Sequence, residues 1–134
     1  YQQNKKTKII YFAINYDGFF QFYPKHKYDK KVLLLFNNDQ KSIKHKKDRA
    51  VGPDCTKIIE KQFLKTHKTF SFNSNWDINN NKKFQLMFLN FCENVIKKNK
   101  INNLNEWLDY RKSQIKKNES RLIVNNKDFL AIKI

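Results

Sequence analysis

The sequence predicts a single α+β domain: a small, mostly antiparallel sheet packed by two helices, with a C-terminal hairpin. Short runs of β-branched and aromatic residues, such as Ile9–Ile14 (IIYFAI), are typical of strands. Phe84–Lys100 instead repeats its apolar residues with the 3.6-residue period of an amphipathic helix. A chain of 134 residues has room for only one core of useful size. We expect residues 1–8 to form a basic N-terminal arm and residues 9–134 to form the domain.

The domain, after the arm, begins with a predicted hairpin. Ile9–Ile14 and Phe19–Tyr23 (FFQFY) are strand-like, and Asn15-Tyr16-Asp17-Gly18 between them has turn chemistry because Gly18 is free to adopt a positive φ. Pro24 is expected to end the second strand.

Two further strands are predicted before residue 65. Val32–Phe36 (VLLLF) is apolar without alternation, which indicates a strand buried on both faces. Gln40–Arg49 has little apolar content and is expected to be a solvated helix or a loop that orders on binding. Gly52-Pro53-Asp54 is the clearest break, and Thr56–Leu64 follows as a strand centred on Ile58-Ile59. Alternation of Phe70 and Phe72 predicts one more strand.

Phe84–Lys100 is predicted to be the core helix. Its expected apolar face comprises Phe84, Met87, Phe88, Leu89, Phe91, Cys92, Val95 and Ile96. Gln85 and Leu86 fall outside that pattern, and Asp77 and Asn79 are candidate N-caps. Lysines at positions 97, 98 and 100 suit the negative end of the helix dipole.

The C-terminal part is predicted to contain a second helix and a hairpin. Asn103-Leu104-Asn105-Glu106 resembles a capping box, and the helix that it opens carries Leu104, Trp107, Leu108 and Ile115 on one face. Arg111 and several lysines lie on its other sides. Leu122–Val124 and Phe129–Ile134 are expected to pair around residues 125–128.

The formal net charge of +16 indicates a polyanionic partner, because 28 Lys and Arg residues face only 12 Asp and Glu. AT-rich codon usage alone would raise Lys, Asn, Ile, Phe and Tyr, but it would not keep the acids so few. Three basic clusters surround His26, His45 and His67, and Tyr28 adds an aromatic ring for base stacking. The predicted nucleic-acid-binding residues are Lys5, Lys6, Lys25, His26, Lys27, Tyr28, Lys44, His45, Lys46, Lys47, Arg49, Lys65, His67, Lys68, Arg111 and Lys112.

Other chemistries lack the residues that they need. Two glycines are too few for a phosphate-binding glycine loop. Cys55 and Cys92 lie far apart and outside any metal-binding spacing, so we expect two reduced thiols and no metal. No segment is apolar enough to span a bilayer.

A nuclease interpretation rests on acidic residues near predicted strands. Two carboxylates on neighbouring strands can hold Mg²⁺ for phosphodiester cleavage, and Asp17, Asp54 and Glu60 are the candidates. Ile58-Ile59-Glu60-Lys61-Gln62 resembles the second acidic motif of RuvC-like Holliday-junction resolvases of the mitochondrial and poxviral kind. In that family a strand ends in a Glu, and a Gln follows at one remove. The resemblance implies an RNase H-like arrangement.

The resemblance is incomplete at the family's first acidic motif, which ends a strand with Asp. Ala13-Ile14-Asn15 places Asn15 there, and Asp17 follows two positions later. The paired acids that close the family's site are not evident, with Asp109 and Asp128 as single candidates. Loss of a metal-ligating carboxylate weakens metal binding, so we expect at most a nuclease-like scaffold without cleavage.

We therefore predict a non-catalytic, structural RNA-binding protein of a large ribonucleoprotein, such as an organellar (mitochondrial) ribosome. It would bind rRNA through its Lys-rich loops, need no cofactor, and contact neighbouring proteins but no membrane. The expected location is intracellular and soluble, in a mitochondrial or other organellar matrix. One alternative is a RuvC-like protein that binds DNA junctions, with Mg²⁺ if it is active. Another is an assembly subunit whose basic faces bind acidic proteins.

Overall fold

The computed structural model describes residues 8–45 and 48–134, with backbone alone at positions 14, 15, 44, 45, 48 and 49. The predicted α+β class is confirmed. In chain order the elements are β1 (Ile9–Tyr23), α1 (Asp29–Ser42), β2 (Lys44–His45), β3 (Asp48–Arg49), α2 (Cys55–Phe63), β4 (His67–Asn73), β5 (Trp76–Asn79), α3 (Lys82–Lys98), α4 (Asn105–Lys116) and β6 (Arg121–Lys133). Single 3-10 turns, Gly52–Asp54 and Asn102–Leu104, precede α2 and α4.

The C-terminal strand β6 is the centre of the main sheet. It pairs antiparallel with β1 along one edge, and with β4 and β5 along the other. The predicted C-terminal hairpin is therefore wrong: residues 125–128 continue the strand, because each of them has a partner or lies between partners in the ladders. A separate two-stranded ribbon joins β2 to β3.

The predicted N-terminal hairpin is also wrong, because Ile9–Tyr23 is one strand. Its pairing with β6 shifts register between Phe12 and Asn15 and again between Tyr16 and Phe20. Extra residues that enter a ladder in this way form β-bulges, which use residues otherwise typical of turns. Gly18 lies in the second irregularity with φ +84, and a Cβ there would be 3.0 Å from the Cβ of Pro53. Pro24 ends the strand as predicted.

Two predicted strands are helices. Val32–Phe36 lies within α1, where Val32 and Phe36 are buried one turn apart while Leu34 is exposed. Thr56–Leu64 coincides with α2, in which Thr56 and Phe63 are buried. Short apolar runs do not distinguish a buried strand from a helix. Pro53, at the start of the preceding 3-10 turn, is a helix-start signal that outweighs the β-branched pair Ile58-Ile59.

The sheet buries a different face in each half of β6. Alternate strand residues point to opposite faces, so Leu122, Val124, Asn126, Asp128, Leu130 and Ile132 share the first face. Leu122 and Val124 belong to the main core with α1, α3 and α4. Phe129 and Ala131, on the second face, pack in a smaller core that includes Phe63 of α2. The helices therefore cover the two faces diagonally.

Helix α3 is the predicted core helix, but it is rotated from the predicted orientation. Phe88, Leu89, Cys92, Val95 and Ile96 are buried, whereas Met87 and Phe91 are both 49% exposed. Gln85, expected outside the apolar pattern, is buried and donates hydrogen bonds to the carbonyls of Ile78 and Ser120. The predicted face was centred too far toward Met87 and Phe91.

The predicted helix caps are corrected as well. Asn81 caps α3 by accepting a hydrogen bond from the Phe84 backbone N–H, while Asp77 and Asn79 lie in β5. Helix α4 begins only at Asn105 and has no side-chain cap, so Asn103 does not form the predicted capping box. Its buried residues Trp107, Leu108 and Ile115 agree with the prediction.

Candidate nucleic-acid interface

The first basic cluster lines a cleft where the chain leaves β1 and enters α1. The cleft has a volume of about 390 Å³ and is lined by Phe19, Phe20, Gln21, Lys25, His26, Lys27, Asp29, Lys30 and Leu33. The cluster's predicted lysines, Lys25 and Lys27, are exposed, and α1 adds a third exposed lysine, Lys30. Lys27 lies 5.0 Å from the Tyr28 ring centroid. We call these lining residues the basic cleft.

Asp29, the carboxylate of the basic cleft, has donors on both oxygens. Oδ1 accepts from Trp107 Nε1 at 2.7 Å and from Arg111 Nη2 at 2.6 Å. Oδ2 accepts from Gln21 Nε2 at 2.6 Å and from the His26 backbone N–H at 2.8 Å. Burial alone would raise the pKa of Asp29, but these hydrogen bonds outweigh it and lower that pKa. The carboxylate therefore stays ionised and compensates the charge of Arg111.

Arg111 is a structural residue, contrary to its predicted contact with nucleic acid. Its side chain is 0% exposed and lies against the rings of Phe22, Trp107 and Tyr110. A side chain so enclosed cannot reach a phosphate without unfolding α4. Lys112, the next predicted contact, is exposed but pairs with Glu93 of α3 at 3.1 Å.

His26 is held by its neighbours rather than free in a loop. Its ring lies 5.0 Å from the Tyr110 ring and 5.6 Å from the Tyr28 ring. Its Nε2 is 3.9 Å from a carboxylate oxygen of Glu106, which also pairs with Lys27 at 3.3 Å. This proximity of a histidine to a carboxylate was not evident from the sequence.

The second basic cluster is only partly described. Lys44, His45 and Arg49 belong to the ribbon formed by β2 and β3, so this segment is not simply a loop. Their side chains, together with Lys46 and Lys47, lie outside the described residues, as do Lys5 and Lys6 of the N-terminal arm.

The third basic cluster is at one end of the sheet and contains a buried histidine. His67 opens β4 and is buried, with its ring 5.1 Å from Phe63 and its Nδ1 2.8 Å from the Thr66 hydroxyl. The prediction that it lies in a loop is therefore wrong. Lys65 and Lys68 are exposed.

The fold adds two lysines to this third cluster. The Lys133 backbone N–H bonds the carbonyl of Lys8 at 2.8 Å, and Lys133 pairs with His67 in the ladder. Four lysines thus meet at this sheet end, which we call the basic end: Lys8, Lys65, Lys68 and Lys133. The sequence spacing carried no signal of this meeting, because it depends on the pairing register.

The basic cleft and the basic end lie at opposite ends of β1. Because β1 is bulged, its length is measured along its partner: residues 121–132 of β6, at about 3.3 Å per residue, separate the two regions by roughly 35 Å. The cationic surface is therefore extended along the molecule.

Between these regions the first face of the sheet is partly uncovered. In the ladders Tyr11 pairs with Leu130 and Leu130 with Phe70, and directly paired residues share a face. Tyr11 is 57% and Phe72 is 51% exposed. We call this surface the open sheet face; it consists of Ile9, Tyr11, Lys68, Phe70, Phe72, Leu130 and Ile132. The alternation of Phe70 and Phe72 is visible in the sequence, but it does not reveal that this face is left uncovered by the described residues.

An apolar groove lies beside α3, at the other end of the first face. It encloses about 600 Å³ and is lined in part by Trp76, Phe84, Met87, Phe91 and Val124. Met87 and Phe91 are the two residues of the predicted core face that the core leaves exposed. At the rim Lys98 pairs with Asp39 at 2.7 Å.

The candidate nuclease acids are engaged separately. Asp17 in β1 lies 3.4 Å from Lys127, and Asp54 lies 2.9 Å from Lys41, whose hydrogen bond lowers the pKa of Asp54. Glu60 is on α2 rather than at the end of a strand, so the strand that the RuvC-like motif requires is missing there. In the part of the chain that the structure describes, no group of three or more His, Cys, Asp or Glu side chains is arranged to hold a metal ion.

No protein-family model matches the chain, and no curated protein is significantly similar to it. Among the described helices, none combines the length and apolar character needed to cross a membrane. The resemblance to resolvases stays a prediction from about ten residues.

Proposed function

We propose that this chain is a structural RNA-binding protein of a large ribonucleoprotein, such as an organellar ribosome. The observation that carries the proposal is the distribution of its charge. Two lysine-rich regions, the basic cleft and the basic end, lie roughly 35 Å apart on a domain whose net charge is +16. Contacts so widely spaced suit the phosphates of a folded RNA better than a small ligand in one cleft.

The electrostatics of the basic cleft support this proposal. Its carboxylate, Asp29, is occupied by four internal donors, so it does not draw Lys25 or Lys30 into an ion pair. These two lysines are exposed and can turn toward a phosphate. Lysine acts as a point charge on phosphate and contributes affinity that is independent of sequence.

The salt dependence of RNA binding tests the proposal. With about six phosphate contacts, log K against log[salt] should fall with a slope near −4 to −5. We expect the double variant Lys25→Gln/Lys30→Gln to make that slope less steep by about two. The matched control is Lys97→Gln/Lys98→Gln, which removes the same charge where the lysines pair with Glu93 and Asp39; its slope should stay near that of the wild type.

Three results would count against the proposal. RNA binding could be absent at low salt, the slope could be flat, or both double variants could change it equally. Tighter binding to a four-way DNA junction than to structured RNA would support the resolvase-like alternative instead. In a native extract at low salt, we expect the protein to sediment with ribosomal particles and to be released as the salt concentration rises.

A further inference from the structure

We propose that the open sheet face binds single-stranded RNA by stacking unpaired bases on Tyr11, Phe70 and Phe72. This inference rests on the proposed RNA-binding function and names the part of the RNA that this surface recognises. It gives the aromatic residues of β1 and β4 a role that the basic clusters do not explain.

The arrangement of the rings is the first argument. Phe70 and Phe72 are two residues apart on β4, their ring planes differ by 10°, and their centroids are 6.4 Å apart. Tyr11 lies on the same face, two strands away, with Leu130 of β6 between it and Phe70. Three rings on one uncovered sheet surface form a platform of the kind on which RNA-binding sheets stack two or three bases.

The exposure of the open sheet face contrasts with the burial of the opposite face of the same strands. On the second face of the same strands, Ile10, Phe129 and Ala131 are buried against Phe63 of α2. The main core covers the first face only toward Leu122 and Val124. Over the described residues nothing covers Tyr11 or Phe72, although both carry large apolar areas. Contiguous exposed apolar surface of this kind marks an interaction site.

Charge complementarity identifies the occupant. The open sheet face carries Lys68, whose Nζ is 5.5 Å from the Phe70 ring centroid. It ends at the basic end, where Lys133, one residue after Ile132, lies on the second face by strand alternation. Aromatic rings beside lysines provide both the stacking surface and the phosphate contacts of a single-strand site. An apolar protein partner would use the rings but would gain nothing from Lys68 beside them or from the lysines at the sheet's edge.

Asp128 is the carboxylate on this part of the first face, and it is already engaged. Its oxygens accept hydrogen bonds from the hydroxyls of Tyr11 and Ser74. The bond to Asp128 raises the pKa of Tyr11, so the phenol stays neutral. It also ties the Tyr11 ring to β6, which holds the ring in place for a base.

Fluorescence anisotropy with two RNA probes tests the inference. The probes are a labelled 12-nucleotide oligouridine and a labelled 12-base-pair RNA duplex, both at low salt. We expect Phe72→Ala to weaken oligouridine binding by roughly tenfold or more, because one stacked base is lost. Duplex binding should change less than twofold. The matched control is Phe91→Ala, since Phe91 is 49% exposed in the groove beside α3; it should leave both affinities unchanged.

The outcomes separate this inference from the proposed function. If Phe72→Ala binds oligouridine as tightly as the wild type while Lys25→Gln/Lys30→Gln weakens both probes, the stacking site is wrong and the RNA-binding function stands. If the wild type binds neither probe, the proposed function itself fails. If the wild type dimerises in sedimentation and Phe72→Ala is monomeric, a second copy covers the face and the inference is overturned. Phe72→Trp keeps a stacking surface, so it should restore oligouridine binding; a weakening equal to that of Phe72→Ala would contradict stacking.

Discussion

Replacement of Asp29 by Asn should destabilise the protein strongly, because Asp29 is the counter-ion of a fully buried arginine. Asn offers one acceptor oxygen and one NH₂ group in place of two acceptor oxygens. In either orientation the NH₂ group faces two of the four donors that now bind the carboxylate. Arg111, whose side chain is 0% exposed, would keep its charge and its hydrogen bond to the Pro24 carbonyl but lose its anionic partner. Loss of one partner of a buried ion pair costs about 3–5 kcal/mol.

That loss is large against the total stability of a domain, about 5–15 kcal/mol. Urea denaturation followed by circular dichroism measures it as a shift of the unfolding midpoint. The control is Asp77→Asn: this carboxylate also pairs with an arginine, Arg121, but both side chains are about half exposed. An exposed pair of this kind contributes little to stability, because solvent screens it. A loss for Asp29→Asn no larger than that for Asp77→Asn would refute the structural role of the pair.

The same variant has an expected pH signature. Because the pKa of Asp29 is lowered in the folded state, its contribution to stability is fully present above the unfolded pKa of about 3.9. The contribution is lost as the pH falls below that value toward the folded pKa. The stability difference between wild type and Asp29→Asn should therefore be constant near neutral pH and narrow in acid. A difference that widens in acid would contradict this linkage.

Three further variants or reagents test other parts of the fold. Gly18→Ala should lower the free energy of unfolding by about 1–3 kcal/mol in urea denaturation, because φ is +84 and a Cβ would be only 3.0 Å from the Cβ of Pro53; an unchanged midpoint would contradict the bulge geometry. Gln85→Ala should lose about 1–3 kcal/mol with its two buried hydrogen bonds. A smaller loss of stability would mean that a water molecule takes over the hydrogen bonds of the missing amide. A thiol reagent should modify the partly exposed Cys55 in the native protein and Cys92 only after unfolding, since Cys92 is fully buried and burial raises its pKa. Equal rates for the two thiols would show that the core opens.

The sequence predicted the core helix well because its signal is local. Phe88, Cys92, Val95 and Ile96 repeat with the helical period, and all four are buried. The signal did not fix the rotation of that helix, since the apolar arc is wider than the core that covers it. Met87 and Phe91 are as apolar as the buried residues, and only the position of the sheet decides which of them face it.

The secondary-structure predictions are wrong where a segment could form either a strand or a helix, or either a turn or a strand, and tertiary packing decides between them. Val32–Phe36 and Ile58-Ile59 have apolar or β-branched runs that suit a strand, but each packs one side of a helix against a sheet. Turn-like residues 15–18 and 125–128 are accommodated within long strands. The open sheet face and the basic end are created by the pairing of β1, β4 and β6. Residues more than a hundred positions apart meet there, as Tyr11 and Asp128 do, and no sequence pattern marks such a pair.

The central place of β6 has a consequence for synthesis of the chain. In the main sheet β1, β4 and β5 each pair with β6, and β6 is the last of the described strands to leave the ribosome. Until residues 121–133 emerge, the earlier strands have no partner in that sheet. Their apolar residues stay exposed to solvent until then. Folding of the sheet is thus delayed to the end of translation of this region. A nascent chain stalled before β6 has left the exit tunnel should depend on chaperones far more than one stalled after β6 has emerged.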